Sequence, residues 1–297
     1  MISLSTLKHL RIPFSLFLMP VFFFALALTP NLNETRLLLV FLALHLFLYP
    51  SSNGYNSYFD KDEESIGGLK HPPKVTPDLY WVAQAFFVIA LILGGLISLN
   101  FGLMLAVYGL VSMAYSHPSI RLKKYPWLSW IIAGFFQGYF TFAMAYAGLS
   151  DLDWGVFIKP HVAIPGFLTS LMLWGNYPLT QVYQHKEDSK RGDKTLSIKL
   201  GIQGTFVFSS LLFTLTGAGF IWYFMSRSQD YIIWTYLSAM APILVFFLIW
   251  FVFIRKNEAY ANYSWAMGMN SISAIALNAF FIYYFLENTQ IMQVMNY

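Results

Sequence analysis

The stretch Asn53–Glu64, which reads NGYNSYFDKDEE, directly follows an apolar run and contains four carboxylates within five residues. Because burying unpaired charge is costly, such a cluster lies either in a solvated loop or in a chemical site. If the preceding helix continues past Pro50, its turn of about 3.6 residues places two amides and two carboxylates on one face. These four residues are Asn53, Asn56, Asp60 and Glu64. The stretch therefore predicts a helix that leaves an apolar environment with a line of oxygen ligands.

The composition of the whole chain is that of a membrane protein. Its 297 residues are 57% hydrophobic and 11% charged, whereas soluble domains have about 25% charged residues. The net charge of +4 is modest and does not indicate a nucleic-acid partner. The chain has no cysteine, which excludes disulfides, thiolate metal sites and cysteine nucleophiles. We therefore expect the lipid bilayer to be the partner of most of the surface.

Nine apolar runs are long enough, or nearly so, to form spanning helices of about 20 residues. They lie at 12–29, 36–52, 80–98, 101–116, 128–149, 161–182, 203–225, 231–254 and 265–286. The first run lacks a small-residue cleavage site before Pro30, so we interpret it as a retained helix and not as a signal peptide. We predict an all-α integral membrane protein of about nine helices in one bundle, with residues 1–297 forming a single polytopic domain.

The distribution of lysine and arginine predicts the orientation of these helices. With a cytoplasmic N-terminus, 15 of the 18 basic residues fall in cytoplasmic segments, and the other three are Arg36, Lys159 and Arg227. The C-terminus is then outside. Three long polar connections, at about 53–79, 117–127 and 183–202, are then cytoplasmic. We expect a multi-pass protein of a bacterial inner membrane whose motif-bearing connections face the cytoplasm.

A second polar segment, QVYQHKED, repeats the spacing of the first. It places two amides and a carboxylate at the intervals of the first segment, and these residues are Gln181, Gln184 and Asp188. Two regular helices emerging on the same side would present matching stripes of hard oxygen ligands, which suit Mg²⁺ shared with a substrate phosphate. The alternative is that both segments are ordinary solvated helix ends.

A compact basic group follows the fourth apolar run, in the segment AYSHPSIRLKKYPWL. Arg121, Lys123 and Lys124 could neutralise a diphosphate leaving group, as cations do in other phosphate sites. The alternative is the positive-inside bias, which places lysine and arginine in any cytoplasmic loop.

Together these segments resemble the UbiA superfamily of intramembrane prenyltransferases over most of the chain. NSYFDKDEE resembles the family's first motif, Asn-x-x-x-Asp-x-x-x-Asp, with Glu64 in place of the last aspartate. YSHPSIRLKK resembles the family's Tyr-Ser/Thr element with its Leu-Lys-Arg/Lys ending. QHKEDSKRGDKTLSIKLG resembles the second acidic motif, with Gln184 in place of the first aspartate. The Arg-Pro that often follows the first motif is replaced by KHPP, which leaves Lys70 or His71 as the candidate cation.

The resemblance implies Mg²⁺-dependent transfer of a polyprenyl group from a polyprenyl diphosphate to an aromatic or other lipophilic acceptor, with release of diphosphate within the membrane. The Mg²⁺ ligands that it implies are Asn56, Asp60, Glu64, Gln184 and Asp188. With the flanking amides, the residues expected to bind the diphosphate and its metal are Asn53, Asn56, Lys70, Arg121, Lys124, Gln181 and Gln184. Catalytic roles are expected for Asp60, Asp188, Lys123 and Tyr115. Tyr115 would offer an aromatic face to the allylic cation.

Two other functions fit the same sequence. A transporter is compatible with many spans, although transporters usually bind their substrates near the bilayer midplane and not at one edge. A catalytically weak prenyl-lipid binding protein is the second, because Gln184 and KHPP depart from the family pattern. Polar residues within the runs, such as Gln137, Asn270 and Asn278, either approach an acceptor or bond to a neighbouring helix.

Overall fold

The computed structural model describes residues 2–289, and the regular elements of this range are helical. The α-helices are α1 (Leu4–His9), α2 (Met19–Leu28), α3 (Glu34–Phe41), α4 (Tyr49–Asp60), α5 (Asp78–Ile97), α6 (Leu99–Ser116), α7 (Pro126–Gly134), α8 (Thr141–Ser150), α9 (Pro160–Asn176), α10 (His185–Lys190), α11 (Leu196–Ser226), α12 (Asp230–Lys256) and α13 (Tyr263–Thr289). Shorter 3-10 segments lie at Ile12–Phe17, Leu122–Lys124, Trp154–Ile158, Tyr177–Thr180 and Glu258–Tyr260. Two π-helical segments, Leu42–Leu48 and Phe135–Phe140, join α3 to α4 and α7 to α8. The predicted all-α class is confirmed.

Seven continuous helical stretches among residues 2–289 are long and apolar enough to cross a membrane. They are Glu34–Asp60, Asp78–Ile97, Leu99–Ser116, Pro126–Ser150, Leu196–Ser226, Asp230–Lys256 and Tyr263–Thr289. The pair Leu4–Phe17 and Met19–Leu28, bent by 47°, gives an eighth if it forms one span. The predicted run at 161–182 contains α9, whose 17 residues are fewer than the roughly 20 of a full span. Length and composition therefore support seven or eight of the nine predicted spans.

The helix that carries the first polar segment continues through Pro50, as the proposed alignment of its polar side chains requires. Proline lacks the backbone N–H that would bond to the preceding turn of an α-helix. The π segment Leu42–Leu48 lies just before it, and this wider turn accommodates the irregularity before α4 runs on to Asp60. Lys61 then adopts a left-handed backbone, with φ 50°, and ends the helix. The polar face therefore reaches Asp60, whereas Glu64 lies beyond the helix.

The second polar segment is not one regular helix, so the helical spacing predicted across Gln181–Asp188 is wrong. Instead, α9 passes into the 3-10 segment Tyr177–Thr180 and a turn before α10 begins. Pro178 has no N–H with which to bond the carbonyl of Trp174. That carbonyl accepts the indole N–H of Trp130 at 2.9 Å instead. The break therefore has a local cause, and a side chain from α7 replaces the donor that proline lacks.

The second π segment, Phe135–Phe140, is stabilised by a serine from the neighbouring helix α9. The Ser170 hydroxyl donates to the Gly134 carbonyl at 2.9 Å and accepts from the Tyr139 backbone N–H at 2.9 Å. A Cβ at Gly138 would lie 2.5 Å from the Ser170 Cα, so only glycine permits this approach. Ser170 thus occupies the irregular turn and holds α9 against the π segment.

An aromatic cluster closes the bundle by joining α2 to α11 and α13. Phe24 stacks on Phe281 with ring centroids 4.6 Å apart, and its ring lies 5.6 Å from that of Phe220. All three side chains are fully buried. Because α2 and α13 are distant in sequence, this contact packs an early helix and a late helix of the bundle against each other.

We predict that Gly201→Ala destabilises the protein by about 1–3 kcal/mol, because few other residues adopt its backbone conformation. Gly201 lies within α11 with φ 71° and ψ 169°, where the helix is kinked. The matched control is Gly217→Ala in the same helix, where an added Cβ meets no atom within 4 Å. Thermal unfolding in detergent, followed by tryptophan fluorescence, should show a lower midpoint for Gly201→Ala alone. Equal midpoints for the two variants would contradict the assignment of strain to Gly201.

Candidate active site

A cavity of about 310 Å³ is bounded by the end of α4, the end of α6, the start of α10 and one face of α13. Six charged side chains line it: Arg11, Asp60, Asp62, Lys123, Asp188 and Arg191. Seven amide side chains also line it: Asn53, Asn56, Gln137, Asn176, Gln181, Gln184 and Asn270. Both polar segments singled out in the sequence therefore contribute to one cavity, despite the irregular backbone of the second.

Asp60 joins the first polar segment to the basic group after α6. Its Oδ2 accepts from the Asn56 Nδ2 at 2.8 Å, and the same amide lies 2.8 Å from the Ser116 hydroxyl. Its other oxygen forms an ion pair with Lys123 and lies 3.8 Å from the Arg121 Nη2. The Asp60 and Lys123 side chains are both more than nine-tenths buried. The first polar segment and the basic group after α6 are separate in the sequence, and this ion pair joins them.

Asp193 is a buried partner of the same basic group that the set of predicted site residues did not include. Arg121 donates to both of its oxygens, from Nε at 2.7 Å and from Nη2 at 2.8 Å. The Lys123 Nζ lies 3.7 Å from one of these oxygens. This two-point contact holds the Arg121 guanidinium in a fixed plane. The signal in the sequence was a carboxylate directly after Gly192 in the second acidic motif.

Arg191 is a second residue that sequence reasoning missed, and it connects the two acidic segments. It forms an ion pair with Asp62 from the first segment and donates to the Asp188 Oδ1 at 2.8 Å from the second. Its Nε also lies 3.6 Å from the Asp193 Oδ2. A basic residue three positions after Asp188, at the end of α10, was the available signal.

The carboxylates of this cluster are poorly hydrated. Burial raises the pKa of Asp188 to about 6, although Arg191 and Lys123 oppose the shift. Burial also raises the pKa of Asp62, the neighbouring Asp60 adds to the rise, and Arg191 lowers it. Nearby cations lower the pKa of a carboxyl group, so a net rise means that they do not fully offset the cost of burying its charge. Further positive charge at this position would therefore stabilise the ionised carboxylates.

Tyr115 lies in the cavity beside Tyr177, and their hydroxyl groups are in direct contact. Tyr115 comes from the last turn of α6, while Tyr177 begins the 3-10 segment after α9. The proline-induced break after α9 therefore brings a second tyrosine to the residue that the sequence predicted.

Residues 17–284 match the UbiA prenyltransferase family. The chain belongs to this family. The match covers all three motifs on which the predicted resemblance was based, and the prediction of a prenyltransferase is confirmed at the level of the family. No curated protein matches the chain.

Solved structures with the UbiA fold superpose on nearly the whole chain. A UbiA homologue from Archaeoglobus fulgidus bound to DMAPP and Mg²⁺ has a TM-score of 0.69 and 19% identity, covering 97% of this chain and 99% of that one. A UbiA homologue from the same organism bound to GPP and Mg²⁺ has a TM-score of 0.66 and 20% identity, covering 96% and 99%. The apo homologue from Aeropyrum pernix K1 has a TM-score of 0.69 and 17% identity, covering 91% and 98%. At these identities the likeness shows the fold.

Four of the predicted site residues lie outside the cavity lining. Glu64 has a side chain that is 41% exposed and pairs with Lys186 at 2.6 Å, because α4 ends before it. Lys70 is exposed, and its backbone carbonyl accepts from the Ser65 hydroxyl at 2.8 Å. Lys124 lies over the Tyr125 ring at 5.0 Å. Arg121 is also outside the lining, but it contacts the cluster through Asp60 and Asp193 as described above.

The donor set of the cavity fits a magnesium ion that a UbiA enzyme would share with its substrate. Among residues 2–289, no three His, Cys, Asp or Glu side chains are grouped as a complete metal site. Mg²⁺ is typically bound by one or two carboxylates together with waters and substrate phosphate oxygens. Asp60, Asp62 and Asp188 provide buried carboxylates, and Gln184 reaches the Ser65 carbonyl at 3.4 Å beside them. The residues therefore suit an ion completed by phosphate and not a cage made of protein alone.

We predict that Asp193→Asn lowers the free energy of unfolding by about 3 kcal/mol, because it removes the two-point ionic contact of the partly buried Arg121 and leaves it only the longer contact with Asp60. The matched control is Asp151→Asn, which breaks the Arg36–Asp151 pair of the same 2.7 Å length. Those side chains are 33% and 42% exposed, so their loss should cost less than about 1 kcal/mol. Thermal unfolding in detergent measures both. Equal effects of the two substitutions would show that the buried cluster does not stabilise the fold.

Proposed function

We propose that this protein transfers a polyprenyl group from a polyprenyl diphosphate to a lipophilic acceptor within the membrane, in a reaction that requires Mg²⁺. The observation that carries the proposal is the meeting of three buried carboxylates with Lys123, Arg121 and Arg191 at a cavity that is also lined by aromatic and aliphatic side chains. Family membership supports the reaction class. Solved UbiA homologues bound to GPP or DMAPP together with Mg²⁺ support the donor and the metal.

The cations of the cluster bind the diphosphate in this proposal. Lys123 and Arg191 line the cavity, and Arg121 is held beside them by its two contacts with Asp193. When the allylic carbon–oxygen bond breaks, its electron pair stays with the diphosphate. Cations already fixed in a water-poor site stabilise that growing charge without further reorganisation. The acceptor atom then bonds to the allylic carbon, and the proton that it loses passes to the diphosphate.

The carboxylates and amides would hold the metal. Bound Mg²⁺ offsets the charge of the diphosphate and orients it for departure. Asp60 and Asp188 are the ligands that we propose with the amides of Asn56 and Gln184, in agreement with the motifs. Asp62 is the third carboxylate that lines the cavity, whereas the motif residue Glu64 faces Lys186. Glu64 would join the set only if the loop after Lys61 turned it inward, so we assign the third carboxylate to Asp62.

Tyrosines of the cavity would stabilise the allylic cation. Tyr115 and Tyr177 lie at the boundary between the charged cluster and the apolar wall. Aromatic faces attract positive charge, and the effect is stronger where water is excluded. Both residues are half-buried and would place a cation-stabilising surface next to the leaving group.

The orientation in the membrane is also part of the proposal. We infer nine spans in a bacterial inner membrane, with the N-terminus in the cytoplasm and the C-terminus outside. The strong bias of lysine and arginine toward one side supports this orientation. The ninth span requires α9 to cross together with the 3-10 segment Tyr177–Thr180 that continues it. The diphosphate site would then face the cytoplasm.

We predict that Asp60→Asn and Asp188→Asn each abolish turnover and weaken Mg²⁺-dependent binding of labelled geranylgeranyl diphosphate at least about tenfold, since each removes a charged metal ligand. Binding to the purified protein is measured with Mg²⁺ and with EDTA. The matched control is Asp230→Asn, an exposed aspartate in the first turn of α12, which should behave as wild type. Donors of shorter and longer chain length are included because the cavity does not define the length.

Three results would distinguish the proposal from its rivals. Full activity of both cavity variants would remove the metal-site argument. Mg²⁺-dependent donor binding without diphosphate release, whatever acceptor is supplied, would favour a prenyl-lipid binding protein. Failure of wild type to bind any prenyl diphosphate would leave transport as the function to be tested in proteoliposomes.

We predict that Asp62→Asn weakens metal binding more than Glu64→Gln does, because only Asp62 lines the cavity. Mn²⁺ replaces Mg²⁺ in this test, and its binding in the presence of inorganic diphosphate is followed by electron paramagnetic resonance. We expect a loss of about tenfold or more for Asp62→Asn and less than about twofold for Glu64→Gln. The opposite order would restore the regular motif spacing and assign the third carboxylate to Glu64.

A further inference from the structure

The first helix of the chain turns its polar side toward the protein and its apolar side away from it. Within α1, the buried residues are Thr6 and His9, whereas the side chains of Leu4 and Leu7 are 69% and 50% exposed. Lys8 is also exposed, and its position one turn after Leu4 places it on the same outer face. The outer face of α1 is therefore two leucines beside one lysine.

Hydrogen bonds from the inner face fix α1 to the segment that leads into α5. The Thr6 hydroxyl and the Ser3 backbone N–H each donate to the Asp78 Oδ2 at 2.9 Å. The His9 Nε2 donates to the Pro73 carbonyl at 2.8 Å. Turning the leucines inward would break these bonds, so their outward direction is set by the fold.

The contact with Asp78 places α1 at the level of the membrane boundary. Asp78 begins α5, whose 20 residues rise about 30 Å, the thickness of the hydrocarbon core. Trp81 follows in the first turn of α5, and its side chain is 72% exposed. Tryptophan is enriched where a bilayer meets water. The outer face of α1 therefore lies at the depth of the headgroups and not in bulk water.

The first crossing of the membrane does not require α1. The segments Ile12–Phe17 and Met19–Leu28 together rise about 27 Å, at about 2.0 Å per residue of 3-10 helix and 1.5 Å per residue of α-helix. The stretch Leu4–Phe17 is also bent by 47° from Met19–Leu28. Helix α1 is thus free to serve at the interface.

A second exposed lysine lies beside the helix. The Ser5 hydroxyl of α1 donates to the Lys74 carbonyl at 2.6 Å, and Lys74 is exposed. The ion pairs found among residues 2–289 involve other basic residues and not Lys8 or Lys74. Lysine can lay its apolar stem along a hydrophobic surface while its ammonium group stays in a polar layer. Two such groups beside two leucines match a layer of phosphate above acyl chains.

We propose that the outer face of α1 and the neighbouring Lys74 dock on the interface of a bilayer that contains anionic phospholipid. Leu4 and Leu7 enter the boundary between headgroups and acyl chains. The two lysines bind headgroup phosphates. Interfacial helices combine apolar and basic residues in this way. The inference concerns the leaflet nearest the charged cluster of the cavity, and it does not depend on the proposed reaction.

The docked helix is continuous with the wall of the cavity. Arg11 follows α1, is buried and lines the cavity. Its Nη1 donates to the Gly67 carbonyl at 3.1 Å and its Nη2 to the Asn53 carbonyl at 3.2 Å. These two bonds join α4 to the loop that carries Asp62. Lipid bound to α1 therefore secures a segment that holds two parts of the cavity wall together.

Two other surroundings could receive the same face. Single exposed leucines are common on protein surfaces in water, and a second copy of this chain could cover them. Lysines on this side also follow from the positive-inside bias. The membrane interface is favoured because the leucines, the lysines and the level of Asp78 and Trp81 agree on it.

The test measures where the outer face lies in a bilayer. Because the chain has no cysteine, one introduced cysteine carries one bimane fluorophore. The labelled variants are Leu4→Cys and Leu7→Cys. The lipid control is Val88→Cys, at an exposed position within α5, and the aqueous control is Glu63→Cys in the exposed part of the loop after α4. The purified full chain is placed in phosphatidylcholine vesicles and quenched with lipids that carry doxyl groups, or with iodide.

We expect doxyl lipid to quench the labels at positions 4 and 7 as it quenches the label at position 88. Iodide should quench both labels at least about fivefold less than the label at position 63, because the interface shields a docked helix face from water. Strong iodide quenching at positions 4 and 7 would show an aqueous surface. Shielding from both quenchers would show that a second copy or another protein covers the face. Either result would refute the docking.

The charge requirement is tested on the Leu4→Cys label with doxyl-labelled phosphatidylglycerol in place of doxyl-labelled phosphatidylcholine. Each lysine near an anionic surface contributes about fivefold in affinity, so the anionic lipid should be preferred by about fivefold or more. Lys8→Gln with Lys74→Gln should reduce this preference to less than about twofold. The matched control, Arg255→Gln with Lys256→Gln, removes two exposed cations at the end of α12 and should keep it. Equal quenching by the two lipids, or a preference that survives the lysine substitutions, would refute the anionic-lipid contact.

Discussion

Charged side chains buried at the end of the apolar bundle are compensated there by ion pairs or, for Arg11, by backbone carbonyls, and this constraint organises the site. Asp60 pairs with Lys123, Arg121 with Asp193, and Arg191 with Asp62 and Asp188. All of these pairs except Arg191–Asp188 join two segments that are far apart in the chain, so the pairing also fixes how the connections after α4, α6 and α9 meet. Removing one member would leave the other poorly hydrated and uncompensated, which costs more than either charge contributes alone. The groups that we propose to bind the diphosphate therefore also hold the site together without it.

Irregular backbone is concentrated where the helices approach the cavity. A π segment precedes Pro50 in the helix that ends at Asp60, and a second one carries Gln137. The proline break after α9 turns Tyr177 toward Tyr115 and lets α10 begin at a new angle. At two of these irregularities a side chain satisfies the freed backbone groups, namely the Ser170 hydroxyl at the second π segment and the Trp130 indole at the proline break. Non-helical backbone is tolerated in a membrane where protein replaces the missing bonds.

A charged end joined to an apolar cavity matches the chemistry of an amphiphilic substrate. The diphosphate head needs cations and a metal, whereas the tail needs surfaces without hydrogen-bonding groups. The aromatic and aliphatic walls supply the second, and the cluster around Asp60 supplies the first.

The sequence alone determined the all-α membrane class, the family and most of the charged and amide residues of the cavity. Long apolar runs and local motifs are formed by neighbouring residues, so they are visible in the sequence. It identified Asp60, Asp188, Lys123 and Tyr115, and all four line the cavity. Tertiary structure decided which other residues join them. Periodicity carried Glu64 onto the face of Asp60, but the left-handed Lys61 ends the helix first, and Asp62 faces inward instead. The roles of Arg191 and Asp193 depend on contacts with Asp62 and Arg121 in distant segments, and residue spacing along the chain does not predict such contacts.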